Sequence, residues 1–343
     1  MRFSKDILSS VTDRFNAVKT HPIRVLRKSH FGGLTKNPRR TRELIATSCA
    51  VGMAAIVGAY HFTAAEILGI SAPNYSATYD NVKAPQGKAK GSQLIAVMSA
   101  IIDDELARGL GSSGTYLTST AHWRTDTTAF QTAEFELIGL MANTLKVYMA
   151  PQGARVFGND HLNRAASRLQ IDKGIFLPFY GTNHYFAEGS QGLKDYNNDL
   201  AQGTARLPLR VSDVEAALST MMFITGQQEE KITATMNGSH FLVGYDRDVY
   251  IGTIGAFHGS CELLKALKGD YDKVIDDQGA SDPYQEAIDA TCAVANRPIP
   301  SIFNVWGSNL DKDKEGFQGA ASRAVGFMAN AHGKLVGAGN APH

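Results

Sequence analysis

Cysteine is scarce, with three in 343 residues, too few for the fold to rest on a disulfide framework. Strand-like alternation is almost missing. Phe241 to Val243 and Asp248 to Ile251 are the only short β-like runs and neither alternates for long, which argues against a sheet fold. The chain has no glycine-rich loop followed by lysine for a nucleotide, no serine elbow and no zinc-protease helix, so three common enzyme classes lose their sequence support. Acidic residues are nearly absent from the first forty-two positions, which hold Asp6 and Asp13 against eleven Lys or Arg, a balance of +9. After position 42 there are 23 basic and 31 acidic residues, a balance of −8, so the net charge of +1 hides two oppositely charged halves.

What the sequence does have is one long stretch free of formal charge, Leu44 to Ala65. As a helix rising about 1.5 Å per residue it reaches roughly 33 Å, enough for a hydrocarbon core of about 30 Å. The basic flank before it predicts a single-pass inner-membrane helix with a cytoplasmic N-terminus and a C-terminal domain in the bacterial periplasm. Two other readings of the stretch stand beside this one: a cleaved signal peptide, for which a basic region of forty-two residues is long, and an Ala/Gly-rich core helix. Ala46, Ala50, Ala54 and Gly58 recur every fourth residue, a small-residue face on which a second membrane helix can pack closely. Tyr60 and His61 fall where an interfacial anchor belongs.

The expected organisation has five parts. Residues 1–43 form a basic cytoplasmic segment whose Phe3, Ile7, Val11, Phe15 and Val18 define an amphipathic helix suited to an anionic leaflet. Residues 44–65 are the span, 66–91 a Pro/Gly-containing linker, 92–335 a helical periplasmic domain and 336–343 a flexible tail. Within the domain, apolar periodicity predicts helices near 94–106, 131–149, 160–169, 185–201, 211–236, 246–267, 283–295 and 315–332. The fold class expected is all-α, a helical bundle. No nucleic-acid motif accompanies the basic segment, so the expected partners are inner-membrane lipid and other envelope proteins, including a second copy of the chain, with no nucleic acid.

Candidate chemistry is thin. With Cys49 inside the span, Cys261 and Cys292 remain, either bridged in an oxidising compartment or two separate buried thiols; a bridge would add about 3 to 4 kcal/mol. His258 and Cys261, with Glu262 beside them, are spaced like two metal ligands without a third, and no metal or cofactor is expected. Asp103, Asp104 and Glu105 read as a solvated acidic triplet, and Glu134 and Glu136 point to different sides of a helix. Asn183, His184 and Tyr185 read as a cap and an aromatic anchor. His122, Trp123 and Arg124, in a polar loop, form a candidate saccharide or peptide contact.

Two blocks of residues carry a family resemblance. Tyr185, Gly189, Leu193, Tyr196, Leu200, Gly203, Ala205, Arg210 and Asp213 form the first. Asp248, Tyr250, Gly255, Leu263, Leu264, Lys265, Ala266, Leu267, Asp270, Pro300, Asn304, Met328 and Ala329 form the second. With the N-terminal span, they resemble a bacterial inner-membrane family known as the domain of unknown function number twenty-three thirty-three. That resemblance implies a membrane-anchored envelope protein and carries over no activity and no site residues. An interaction or scaffold subunit is the expectation, and a tethered periplasmic ligand sensor is its alternative.

Overall fold

The structure, a computed structural model, describes residues 78–108, 125–150, 159–170, 182–237, 243–297 and 309–339. The chain divides into two compact units, Met1–Pro73 and Asn74–His343, and every described residue belongs to the second. The 44–65 stretch with Ala46, Ala50, Ala54 and Gly58, the basic segment, and His122, Trp123 and Arg124 lie outside the described residues. Among those described, no helix is long and apolar enough to cross a membrane.

The second unit is all-α, with no strand among its described residues. A short helix α1 (Thr78–Asn81) leads into α2 (Gln93–Arg108), then α3 (Thr125–Thr144), which runs on into a π-helical turn, Leu145–Met149. These are followed by α4 (Asp160–Leu169), α5 (Thr182–Gln202), α6 (Val211–Asn237), α7 (Val243–Asp277), α8 (Ser281–Ala295) and α9 (Asn309–Gly339). α7 is the hub, packing on α1, α2, α3, α6 and α8, while α9 closes over α6 and α8.

The pattern of each sequence explains its place. In α2, Leu94, Ile95, Val97, Met98, Ile101 and Ile102 form a buried stripe at helical spacing, as expected for a helix with one face on a core. α7 is different: every residue from Ile251 to Leu264 is buried, which suits a helix enclosed on all sides. Its small residues make that enclosure possible. A β-carbon on Gly255 would collide with the carbonyl oxygen of Phe130, so only glycine lets α3 come so close. The α4 start is fixed by Asn159, whose side-chain oxygen accepts from the His161 and Leu162 amides at 2.9 and 3.1 Å. α5 ends at Gly203, whose φ of 76° lies in the left-handed region that glycine supplies at little cost.

Several expectations need correction. α3 starts at Thr125, so residues 125–128, expected in a loop, are helical. Asp248 to Ile251, one of the two β-like runs, lies inside α7, where packing of Val249 and Ile251 outweighs their β-branched preference. That helix does not stop near 267, its expected end. It continues to Asp277 through a local departure at Tyr271 (φ −116°, ψ 16°). At the C-terminus α9 extends to Gly339, through half of the expected tail. The later part of the expected linker is also folded: Ala84 and Gly91 are buried, and the compact unit begins at Asn74.

Candidate binding groove

The polar residues singled out along the sequence meet mainly in the core. His258 on α7 donates from Nδ1 to Glu134 Oε1 of α3 at 2.7 Å, and both side chains are buried. Glu134 Oε2 has no hydrogen-bond partner among the described residues. One turn on, Glu262 is buried too; its Oε1 takes Lys265 Nζ at 3.0 Å, and its Oε2 accepts the amide of Tyr79, pinning α1 to α7. Glu105 accepts from Gln131 Nε2 at 2.8 Å and is buried, so the expected solvated triplet is split. Asp103 instead bonds Ser190 and Lys194 of α5.

Burial pulls the His258 pKa down, but the hydrogen bond to Glu134 and the charges of Glu134, Glu262 and Glu105 act upward and prevail. The neighbouring carboxylates therefore favour the protonated ring, Glu134 through its hydrogen bond and Glu262 and Glu105 through their charge. Cys261 is not free to join such a cluster, because it is joined to Cys292 in a disulfide linking α7 to α8. Among the described residues, no group of three or more His, Cys, Asp or Glu is placed to hold a metal ion. Glu134 is buried and Glu136 half-buried, in line with two faces of one helix. His184 Nε2 lies 3.4 Å from Glu188 one turn on along α5, and Tyr185 stacks under the Arg168 guanidinium, 5.0 Å from its ring centre, a contact that joins α4 to α5.

A second polar locus was not singled out in the sequence. Before α2 the chain makes a small hairpin, in which Gly91 N donates to Pro85 O at 2.9 Å and Gly87 N to Ala89 O at 3.1 Å. Ala89 N donates to Ala201 O at 2.9 Å, tying this hairpin to the end of α5. Asn197 then grips both backbone groups of Ser92: Oδ1 accepts the amide at 2.7 Å and Nδ2 donates to the carbonyl at 2.9 Å. Asp270 of α7 finishes the job of an N-cap from outside the helix. It accepts from Ser92 Oγ at 2.7 Å, Gln93 N at 2.8 Å and Leu94 N at 3.0 Å, satisfying amides that the first turn of α2 leaves open.

Between this hairpin and residues 203–210 lies a groove of about 810 Å³. Its apolar lining includes Leu200, Ala205, Leu207, Pro208 and Leu209, and its charged lining is Lys90, Arg206 and Arg210 against one acid, Asp270. Arg210 is held in place. Its Nη2 donates to Asp213 Oδ1 and to the Tyr148 carbonyl, both at 2.7 Å, and the bond to Asp213 raises its pKa. The Lys90 and Arg206 side chains make no ion pair or hydrogen bond among the described residues, and both residues are exposed. The amides of Arg206, Leu207 and Leu209 are likewise open among the described residues, and Pro208 has no amide of its own.

Apolar side chains gather at the same end. Leu209 is 56% exposed, and across the Arg210 bond the π-helical turn exposes Val147 (37%) and Tyr148 (62%). Leu200, Gly203, Ala205, Arg210 and Asp270, all among the residues that carry the family resemblance, line this groove. The signal available in the sequence was Arg206-Leu-Pro-Leu-Arg210, a basic and apolar run that proline keeps out of a helix. Its partner, the lysine-rich 83–90 segment, is distant in sequence, and only the fold brings the two together. No protein-family model matches this chain, and no curated protein or solved structure matches it.

Proposed function

We propose that this chain is an interaction or scaffold protein of the bacterial cell envelope and a subunit of a larger complex. In this reading the 44–65 stretch tethers it to the inner membrane, and the helical unit stands in the periplasm. The observation that carries the proposal is the groove between residues 89–92 and 203–210, with uncompensated cations, open amides and exposed apolar side chains beside it. Monomer surfaces normally cover such a combination or use it. The basic flank before the charge-free stretch supports the orientation, and the Cys261–Cys292 bond suits an oxidising compartment. The resemblance to the inner-membrane family of unknown function points the same way.

A second reading, a tethered sensor for an envelope saccharide or peptide, draws on the groove's volume, which falls in the range of small-ligand pockets, about 300 to 1,000 Å³. Cross-linking of the full chain in native membranes, followed by mass spectrometry of what is attached, tests the first. Reproducible links to a defined set of envelope proteins are expected. Links from the chain only to itself would sink the scaffold role and leave the sensor.

A further inference from the structure

We infer that the groove between residues 89–92 and 203–210 binds an acidic peptide segment in extended conformation. This rests on the interaction role proposed above and names the chemistry of the partner. Two independent features of the wall formed by residues 206–210 point to it.

The first is charge. Lys90 and Arg206 line the groove without a counter-ion among the described residues, and Arg210 adds a guanidinium only partly spent on Asp213. The one carboxylate in the lining, Asp270, accepts three bonds from the start of α2 and is directed to that task. A partner bearing carboxylates meets cations here with little opposing charge.

The second is backbone. The amides of Arg206, Leu207 and Leu209 have no partner among the described residues; successive amides of an extended run face opposite sides, so a peptide lying along one side can accept from the alternate pair, Leu207 and Leu209. Side chains of an extended segment alternate. One set of alternate positions then places carboxylates toward Lys90 and Arg206, while the other places apolar side chains on Leu200, Leu207 and Leu209. A compact anion such as phosphate uses the charges but not the length of the wall or its apolar side chains. The geometry therefore favours a peptide over a free anion or a lipid headgroup.

The test uses the full chain in detergent and a fluorescein-labelled nonapeptide alternating Glu and Val, followed by anisotropy. Binding is expected to weaken about ten-fold, equivalent to about 1.4 kcal/mol, in Lys90→Glu/Arg206→Glu, with a smaller loss in Lys90→Ala/Arg206→Ala. Raising salt weakens it further, and replacing the central amides of the peptide by esters, which are poorer acceptors, weakens it again. Equal binding of the Lys-and-Val peptide, or unchanged binding by both variants, overturns the inference. Displacement by inorganic polyphosphate or by phosphatidylglycerol vesicles, with the ester peptide binding as well as the amide, also overturns it and makes the groove a general anion site. Envelope partners cross-linked equally well by the Lys90/Arg206 variants would remove this groove while keeping the scaffold role. Peptide binding with no envelope partner in membranes would do the reverse.

Discussion

From Ile251 to Leu264 α7 is buried without a break, yet it contains His258 and Glu262; residues 206–210 are half-buried or exposed and contain two arginines. In the helix each of the two ionisable side chains meets opposite charge: His258 against Glu134, Glu262 against Lys265. In the 206–210 run Arg210 is paired to Asp213, and Arg206 has no ionic partner among the described residues. The difference follows from what water can do. A buried charge left alone costs several kcal/mol, so the core must supply a partner, while an exposed one is solvated and stays available. The core thus holds charges that fix the packing of helices, and the groove holds charges that the fold does not consume.

The largest effect is expected from breaking the core pair. Glu134→Leu leaves the His258 site without its hydrogen-bond acceptor and should lower stability by about 3 to 5 kcal/mol, read from the urea midpoint of the full chain. The pH dependence checks the cause. Since the folded-state pKa of His258 is raised above the ordinary value of about 6.5, its contribution is complete below that value and fades as pH rises through the folded pKa. The wild-type midpoint should therefore fall as pH rises above about 6.5, and Glu134→Leu should flatten that fall. A variant with an unchanged slope would mean that other groups set the pH response.

This pair also shows what can be read from the sequence. Helix periodicity placed α2, α4, α6 and α8 to within a few residues, because each carries an apolar face that repeats every three or four positions. α7 was cut short at 267 because Gly269 reads as a helix end, whereas the helix continues through Tyr271 to Asp277. Glu134 and His258 are 124 positions apart, so their bond is a product of α3 packing against α7 and had no local signature. The same is true of the groove, whose two walls lie more than a hundred residues apart. Cys261 and Cys292 were legible as candidates because they are the two cysteines beyond the charge-free stretch, but whether they join depends on α7 and α8 lying side by side.

That bond gives the next expected effect. It closes a sequence separation of 31 residues, so reduction, or Cys292→Ser, should cost about 3 to 4 kcal/mol on the chain-entropy account. Urea unfolding with and without a thiol reductant measures it. An unchanged midpoint would show that helix packing alone holds α7 against α8. A smaller loss, about 1 to 2 kcal/mol, is expected for Asp270→Ala, which strips the cap from α2 at the edge of the groove. Amide exchange should locate that loss at Gln93 and Leu94, the two amides Asp270 accepts. Protection lost evenly along α2 instead would assign the effect to packing.

The smallest expected change in stability belongs to Lys90→Glu/Arg206→Glu, and its smallness is the point of the comparison. Neither side chain has an ionic partner among the described residues, so reversing them breaks no bond within the unit. Exposed substitutions of this kind usually move stability by less than about 0.5 kcal/mol. A positive change would have a reason: carboxylates at positions 90 and 206 would be attracted to Arg210, which lines the same groove and repels the two native cations. Any such gain should shrink as salt is added, because exposed charges are screened over about 10 Å at 0.1 M ionic strength. A loss comparable to that of Glu134→Leu would instead mean that these cations are already engaged within the fold. The distinction between charges that build the domain and charges it leaves open would then fail at the groove.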